Sequence, residues 1–123
     1  DAFLSPATPV QLALPALLER RSEVQGAILA RLHENRATLQ RALAGSCGTP
    51  LHVEGGWYAL VRLPDVMSDE ALCLELLTSR RVIAQPGYFF DLPDAHAVLS
   101  LIVRPAPFAE GCAQLRALLD GLG

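Results

Sequence analysis

The sequence predicts an α+β fold, a small and mostly antiparallel sheet of about four strands with helices packed on it. Three observations predict it. Helical and strand patterns follow in the order helix, two strands, helix, two strands, helix. The stretch Val98–Val103 is apolar at nearly every position, as in a central strand covered on both faces. Ser68-Asp69-Glu70 opens a helix between the two strand pairs, with a capping hydroxyl and carboxylates in the first turn.

The chain begins with residues 1–9, whose Pro6 and Pro9 favour an extended connector leaving another domain. Residues 10–123 then form the domain proper. Leu12, Leu14, Leu17 and Leu18 make a first helical stripe, with Pro15 marking a kink or a break. Ser22 is placed to cap a second helix, in which Val24, Ile28, Leu32, Leu39 and Leu43 recur at the helical period. That helix ends at Ala44-Gly45, where glycine accepts a left-handed cap.

Leu51-His52-Val53-Glu54 alternates like a short strand, and Gly55-Gly56 turns the chain into a second strand, Trp57 to Leu63. Pro64-Asp65 ends it. After Ser68, Leu72, Leu74, Leu76 and Leu77 give an apolar helix face, with Arg80-Arg81 at the C-terminal end. Val82 to Gln85 reads as a third strand running into a Pro86-Gly87 turn, and Val98 to Val103 as the fourth. Phe108 to Leu122 closes the chain as a helix.

At 123 residues the chain has the size of one domain. Its hydrophobic content of 51% exceeds what one small core absorbs, so part of it is expected to be surface made for another domain or subunit. No apolar run approaches the roughly 18 to 20 residues of a membrane span. A net charge of −3 with scattered arginines argues against nucleic acid and anionic membrane as partners. Three cysteines at wide spacings, Cys47, Cys73 and Cys112, fit free thiols in a reducing cytoplasm. The start, Asp1-Ala2-Phe3-Leu4, has no signal-peptide character, and the chain reads as a piece of something longer.

Little in the sequence carries chemistry by itself. His33, His52 and His96 lack metal-ligand spacing, and Gly55-Gly56 is too short for a phosphate loop. Tyr88-Phe89-Phe90 cannot all point inward, so part of this run is available to a ligand or a neighbouring domain. Arg104, the basic group next to the last strand, has the geometry to fork onto a carboxylate, although a solvated edge arginine is the plainer alternative.

Taken together, Gly55-Gly56-Trp57-Tyr58, Ser68-Asp69-Glu70, Val82-Ile83-Ala84-Gln85-Pro86-Gly87-Tyr88-Phe89 and Pro107-Phe108 to Leu119 resemble, in order, the C-terminal small domain of a class I/II (fold-type I) pyridoxal-phosphate-dependent aminotransferase. Ser5-Pro6 to Leu18 and Arg36 to Leu43 are similar to the family's approach to that domain. The resemblance implies amino transfer between an amino acid and a 2-oxo acid, with the small domain closing over the substrate. It implies as partners a large domain of the same chain and a second protomer in a homodimer, in the cytoplasm. Cofactor and catalytic residues would lie in that large domain. All ten basic residues here are arginine, so no lysine is present to form an aldimine, and the isolated chain is expected to be inactive without binding pyridoxal phosphate.

The resemblance also implies a substrate-gripping arginine in the last strand, but the matching stretch reads Val98-Leu99-Ser100-Leu101. Either Arg104 takes over from the same strand face as Ser100, or substrate is bound without such a grip, by Ser100 or Tyr88 and groups of the large domain. A carbon–sulfur lyase on the same scaffold, and a stand-alone α+β ligand-binding or interaction domain, are the alternatives.

Overall fold

A computed structural model describes residues 5–122, so Asp1–Leu4 of the expected connector lie outside the described residues. The described residues fall into two compact units, divided between Ala30 and Arg31.

In the first unit, helix α1 (Thr8–Glu19) starts with a proline in its first turn, where the missing N–H costs nothing. Pro15 lies inside it, and the helix continues to Glu19. Its leucines are exposed, Leu12 at 78% and Leu17 at 60%. Helix α2 (Arg21–Ala42) starts one residue before the expected cap Ser22, which is thus inside the helix. Arg20 pairs with Glu23 at 3.0 Å across this junction.

The second unit holds the sheet. Strands β1 (Thr49–Pro50), β2 (Tyr58–Arg62), β3 (Gln85–Pro86) and β4 (His96–Ser100) pair antiparallel in the order β1-β2-β4-β3. Helix α3 (Asp69–Arg80) connects β2 to β3, and α4 (Pro105–Asp120) follows β4. This is the α+β architecture that the order of patterns predicts.

Register sets the core. Ala59 faces Leu99 and Val61 faces Ala97, so each alanine is matched by a larger neighbour on the inner face. Over that face pack Leu39 and Leu43 of α2 and its end, Leu72 and Leu76 of α3, and Phe108, Cys112, Leu115 and Leu119 of α4. Each fully buried leucine stabilises by about 2 kcal/mol relative to exposure.

Local chemistry explains the element ends. Ser68 Oγ accepts from Ala71 N at 3.2 Å, the cap expected for α3. Gly45 (φ +71°) and Gly56 (φ +82°) turn the chain where left-handed backbone is needed. Arg116 of α4 donates from Nη1 to Ala42 O at 3.1 Å and Ala44 O at 2.8 Å, satisfying carbonyls that the end of α2 leaves open.

The structure corrects several boundaries. Leu51–Glu54 is not a strand; β1 is Thr49–Pro50, and only Leu51 N extends its ladder, to Leu60 O at 2.8 Å. The third strand is Gln85–Pro86, because Val82–Ala84 leaves the ladder. The fourth ends at Ser100, because Leu101 and Ile102 turn the chain toward α4. Leu74 and Leu77 are exposed, and Cys73 takes their place with Leu72 and Leu76 in the buried stripe of α3.

Gly111 sits within α4, and a Cβ there would meet Val82 Cγ1 at an ordinary 3.7 Å. Gly111→Ala is therefore expected to stabilise the chain by about 0.5 to 1 kcal/mol, read as a higher urea midpoint.

Candidate functional site

The sheet face opposite the core is the candidate site. Alternation puts Tyr58, Leu60 and Arg62 of β2 on it, opposite Ser100, Val98 and His96 of β4. A 3₁₀ turn, Gly87–Phe90, packs against β4 and delivers three consecutive aromatics. Tyr58 and Phe90 lie 6.1 Å apart between ring centroids, and Tyr88 and Phe89 make an edge-on pair at 4.6 Å. Tyr58, Tyr88, Phe89 and Phe90 are all exposed, from 42% to 62%. Such clustering of exposed aromatics marks a binding or docking surface.

Asp69 holds this turn in place. Its Oδ2 accepts from Tyr88 N at 3.1 Å, while Oδ1 accepts from Glu70 N at 2.9 Å. The first residue of α3 thereby ties the start of the helix to the aromatic turn. His96 is buried beneath, its Nδ1 2.7 Å from Asp94 O. Partial desolvation, with the carboxylates of Glu70 and Asp69 and the Cys73 thiol, raises the Tyr88 phenol above its usual range, so it remains a neutral donor.

The three residues singled out from sequence do not converge. Ser100 presents its side chain beside Tyr58 across the ladder, and the residue also lines an open groove of about 490 Å³ on the α4 side of the sheet edge. Tyr88 lines a different groove, with Asp65, Asp69 and Asp94. Arg104 is the exposed residue preceding α4, beyond the end of β4. It is not on the strand face of Ser100, because alternation stops where Leu101 turns.

Sequence reasoning missed Tyr58 and Asp69 as parts of this face. Alternation within Trp57–Leu63 already separated Tyr58 from Ala59 and Val61, so that signal was available. Nothing local signalled that Asp69 reaches Tyr88, nineteen positions along the chain.

Two of the three thiols are inert by burial. Desolvation, with the nearby Asp69 carboxylate adding, pushes Cys73 up to about 11. Burial alone pushes Cys112 up to about 11. Cys47 is exposed. An aromatic disulfide reagent near pH 8 is expected to titrate one thiol in the folded chain and three after denaturation. Because both buried thiols hold their protons more tightly folded than unfolded, their contribution to stability is complete below pH 9.0 and is lost as pH rises toward about 11. Rapid reaction of all three thiols in the folded chain contradicts this placement.

No group of His, Cys, Asp and Glu among the described residues is arranged to hold a metal ion. No helix among them is long and apolar enough to cross a membrane.

No family model matches the sequence, and neither does any curated protein. Solved structures do. A methionine aminotransferase, YbdL from Escherichia coli, matches 92% of this chain at 26% identity with a TM-score of 0.77. MppP, solved with its product 2-ketoarginine, matches 95% at 25% identity and 0.76. LysN, the α-aminoadipate aminotransferase of Thermus thermophilus, complexed with N-(5'-phosphopyridoxyl)-L-leucine, shares the fold over 91% of the chain at 23% identity and 0.74. The chain spans 31%, 35% and 29% of these proteins respectively. It is similar in sequence and fold to about a third of an aminotransferase.

Pyridoxal phosphate needs a lysine amine for its resting attachment, and this chain has none. The residues present therefore do not fit the cofactor.

Proposed function

We propose that this chain is the C-terminal small domain of a pyridoxal-phosphate-dependent aminotransferase acting on an amino acid and a 2-oxo acid. What supports this is the likeness to YbdL over 92% of the chain while covering only 31% of that protein. The cofactor, its lysine and the proton-transfer groups belong to a large domain elsewhere in the same protein, and a homodimer in the cytoplasm is the assembly proposed.

The contribution of this chain is to bind and enclose. Tyr58 and Phe90 offer an apolar wall to a substrate side chain. The Ser100 hydroxyl, beside Tyr58, is proposed to donate to the substrate carboxylate. The Tyr88 phenol, kept neutral, is a further donor on the aromatic turn. Arg104 lies off this face and is proposed to take no part.

The test uses the protein that carries this chain, supplied with pyridoxal phosphate and paired amino and 2-oxo acids. Amino transfer, together with its absence in the isolated chain, is the expected result. Release of a thiol and a 2-oxo acid from sulfur amino acids, in place of transfer, overturns it in favour of a lyase. No turnover of either kind overturns the enzymatic assignment.

A further inference from the structure

Independently of that function, we infer that the groove at the free edge of β4 is a binding site for a small monocarboxylate with an apolar body. Three observations meet there. Val82–Ala84 leaves the ladder, so β3 pairs with β4 only at Gln85 and Pro86. Leu101 N donates to Trp57 O and Leu63 N to Ala95 O, so odd-numbered residues of β4 face β2. Alternation then turns the Ser100 N–H toward the groove, where no strand receives it.

Next, Arg80 forms part of the wall. Its Nη1 donates to Gln114 Oε1 at 3.3 Å, but its buried Nε has no hydrogen-bond partner among the described residues. A buried guanidinium N–H without an acceptor calls for one. Finally, Arg81 beside it closes α3 as a left-handed C-cap (φ 57°, ψ 33°), which leaves its charged side chain exposed at the rim.

The rest of the groove selects the ligand. Its volume of about 490 Å³ suits a small molecule, and its floor is apolar, with Val82, Leu99 and Phe108. Two arginines against the single carboxylate of Glu110 favour an anionic head. The carboxylate would accept from Arg80 and the Ser100 N–H while its chain lies on the floor.

Octanoate is the probe and octylamine the control, each titrated into the isotopically labelled chain with backbone amide shifts as readout. Octanoate is expected to shift Val82, Ser100 and Cys112 saturably, while octylamine leaves them unmoved. Arg80→Gln is expected to weaken octanoate by about tenfold. Should that variant fail to fold, Arg81→Gly removes one rim charge in a backbone conformation glycine prefers, and Gly111→Leu fills the groove beside Val82; both are expected to weaken binding. Equal shifts from octylamine, shifts confined to Tyr58 and Phe90, or affinity unchanged in folded variants each overturn the assignment.

Discussion

Replacing Asn35 by leucine is expected to destabilise the chain by about 2 to 4 kcal/mol, although the new side chain is apolar and of similar size. Asn35 is fully buried. Its Nδ2 donates one hydrogen to Leu101 O at 2.8 Å and the other to Val103 O at 2.7 Å. Those two carbonyls lie where the chain leaves β4 and has no ladder to satisfy it. Leucine fills the space and strands both acceptors. One term runs the other way: Asn35 Oδ1 itself lacks a partner among the described residues, and its removal recovers part of the loss. Asn35→Asp discriminates, because it replaces the donating amide with a carboxylate oxygen facing two carbonyls. It is expected to lose more than Asn35→Leu in urea unfolding. A neutral Asn35→Leu would show that these bonds contribute nothing to holding the turn.

The second large effect is expected at Gly87. A Cβ there would lie 2.8 Å from His96 Cβ, 3.3 Å from Asp69 Oδ2 and 3.4 Å from His96 N. Two of these atoms move only with the backbone of β4, so the contact cannot be relieved by a rotamer change. Gly87→Ala is expected to cost about 1 to 3 kcal/mol through overpacking. It also pushes the aromatic turn away from Asp69, which accepts from Tyr88 N. Loss of near-ultraviolet ellipticity from the Tyr58–Phe90 region should accompany the lower urea midpoint. An alanine variant with unchanged midpoint and spectrum would mean that this turn is not held as closely as its geometry indicates.

These two residues show how legibility divides. Ser68, Gly45 and Gly56 are readable from sequence because a cap or a left-handed turn is settled among near neighbours. The order of helical and strand segments along the chain follows from the same local preferences and from periodicity. Asn35 carried no signal: its partners lie 66 and 68 positions away, and a polar residue in a helical stretch is ordinarily solvated. Leu74 and Leu77 misled for the mirror-image reason, since spacing assigns a face to a helix but not the width of the surface that covers it.

The candidate site divides in the same way. Tyr88-Phe89-Phe90 is visible as an apolar run with nowhere inside to go, and it is exposed. The placement of Ser100 and Arg104 on one face assumed a strand continuing through Val103. Leu101 still faces the core, at 4% exposed, and its N–H bonds to Trp57 O, but there the chain turns, so the alternation that would put Arg104 beside Ser100 does not run that far.

By itself, then, the sequence determined an α+β chain, the order of its helical and strand segments, the Ser68 cap of α3 and the resemblance to an aminotransferase small domain. The tertiary structure alone decided the register, the face on which each side chain emerges, the free edge at Ser100 and the separation of Ser100, Tyr88 and Arg104. The reason is the range of the forces involved. Caps, turns and periodicity express free energies between neighbours, whereas register and burial come from pairings across the whole chain, where a shift of one residue exchanges the two faces of a strand.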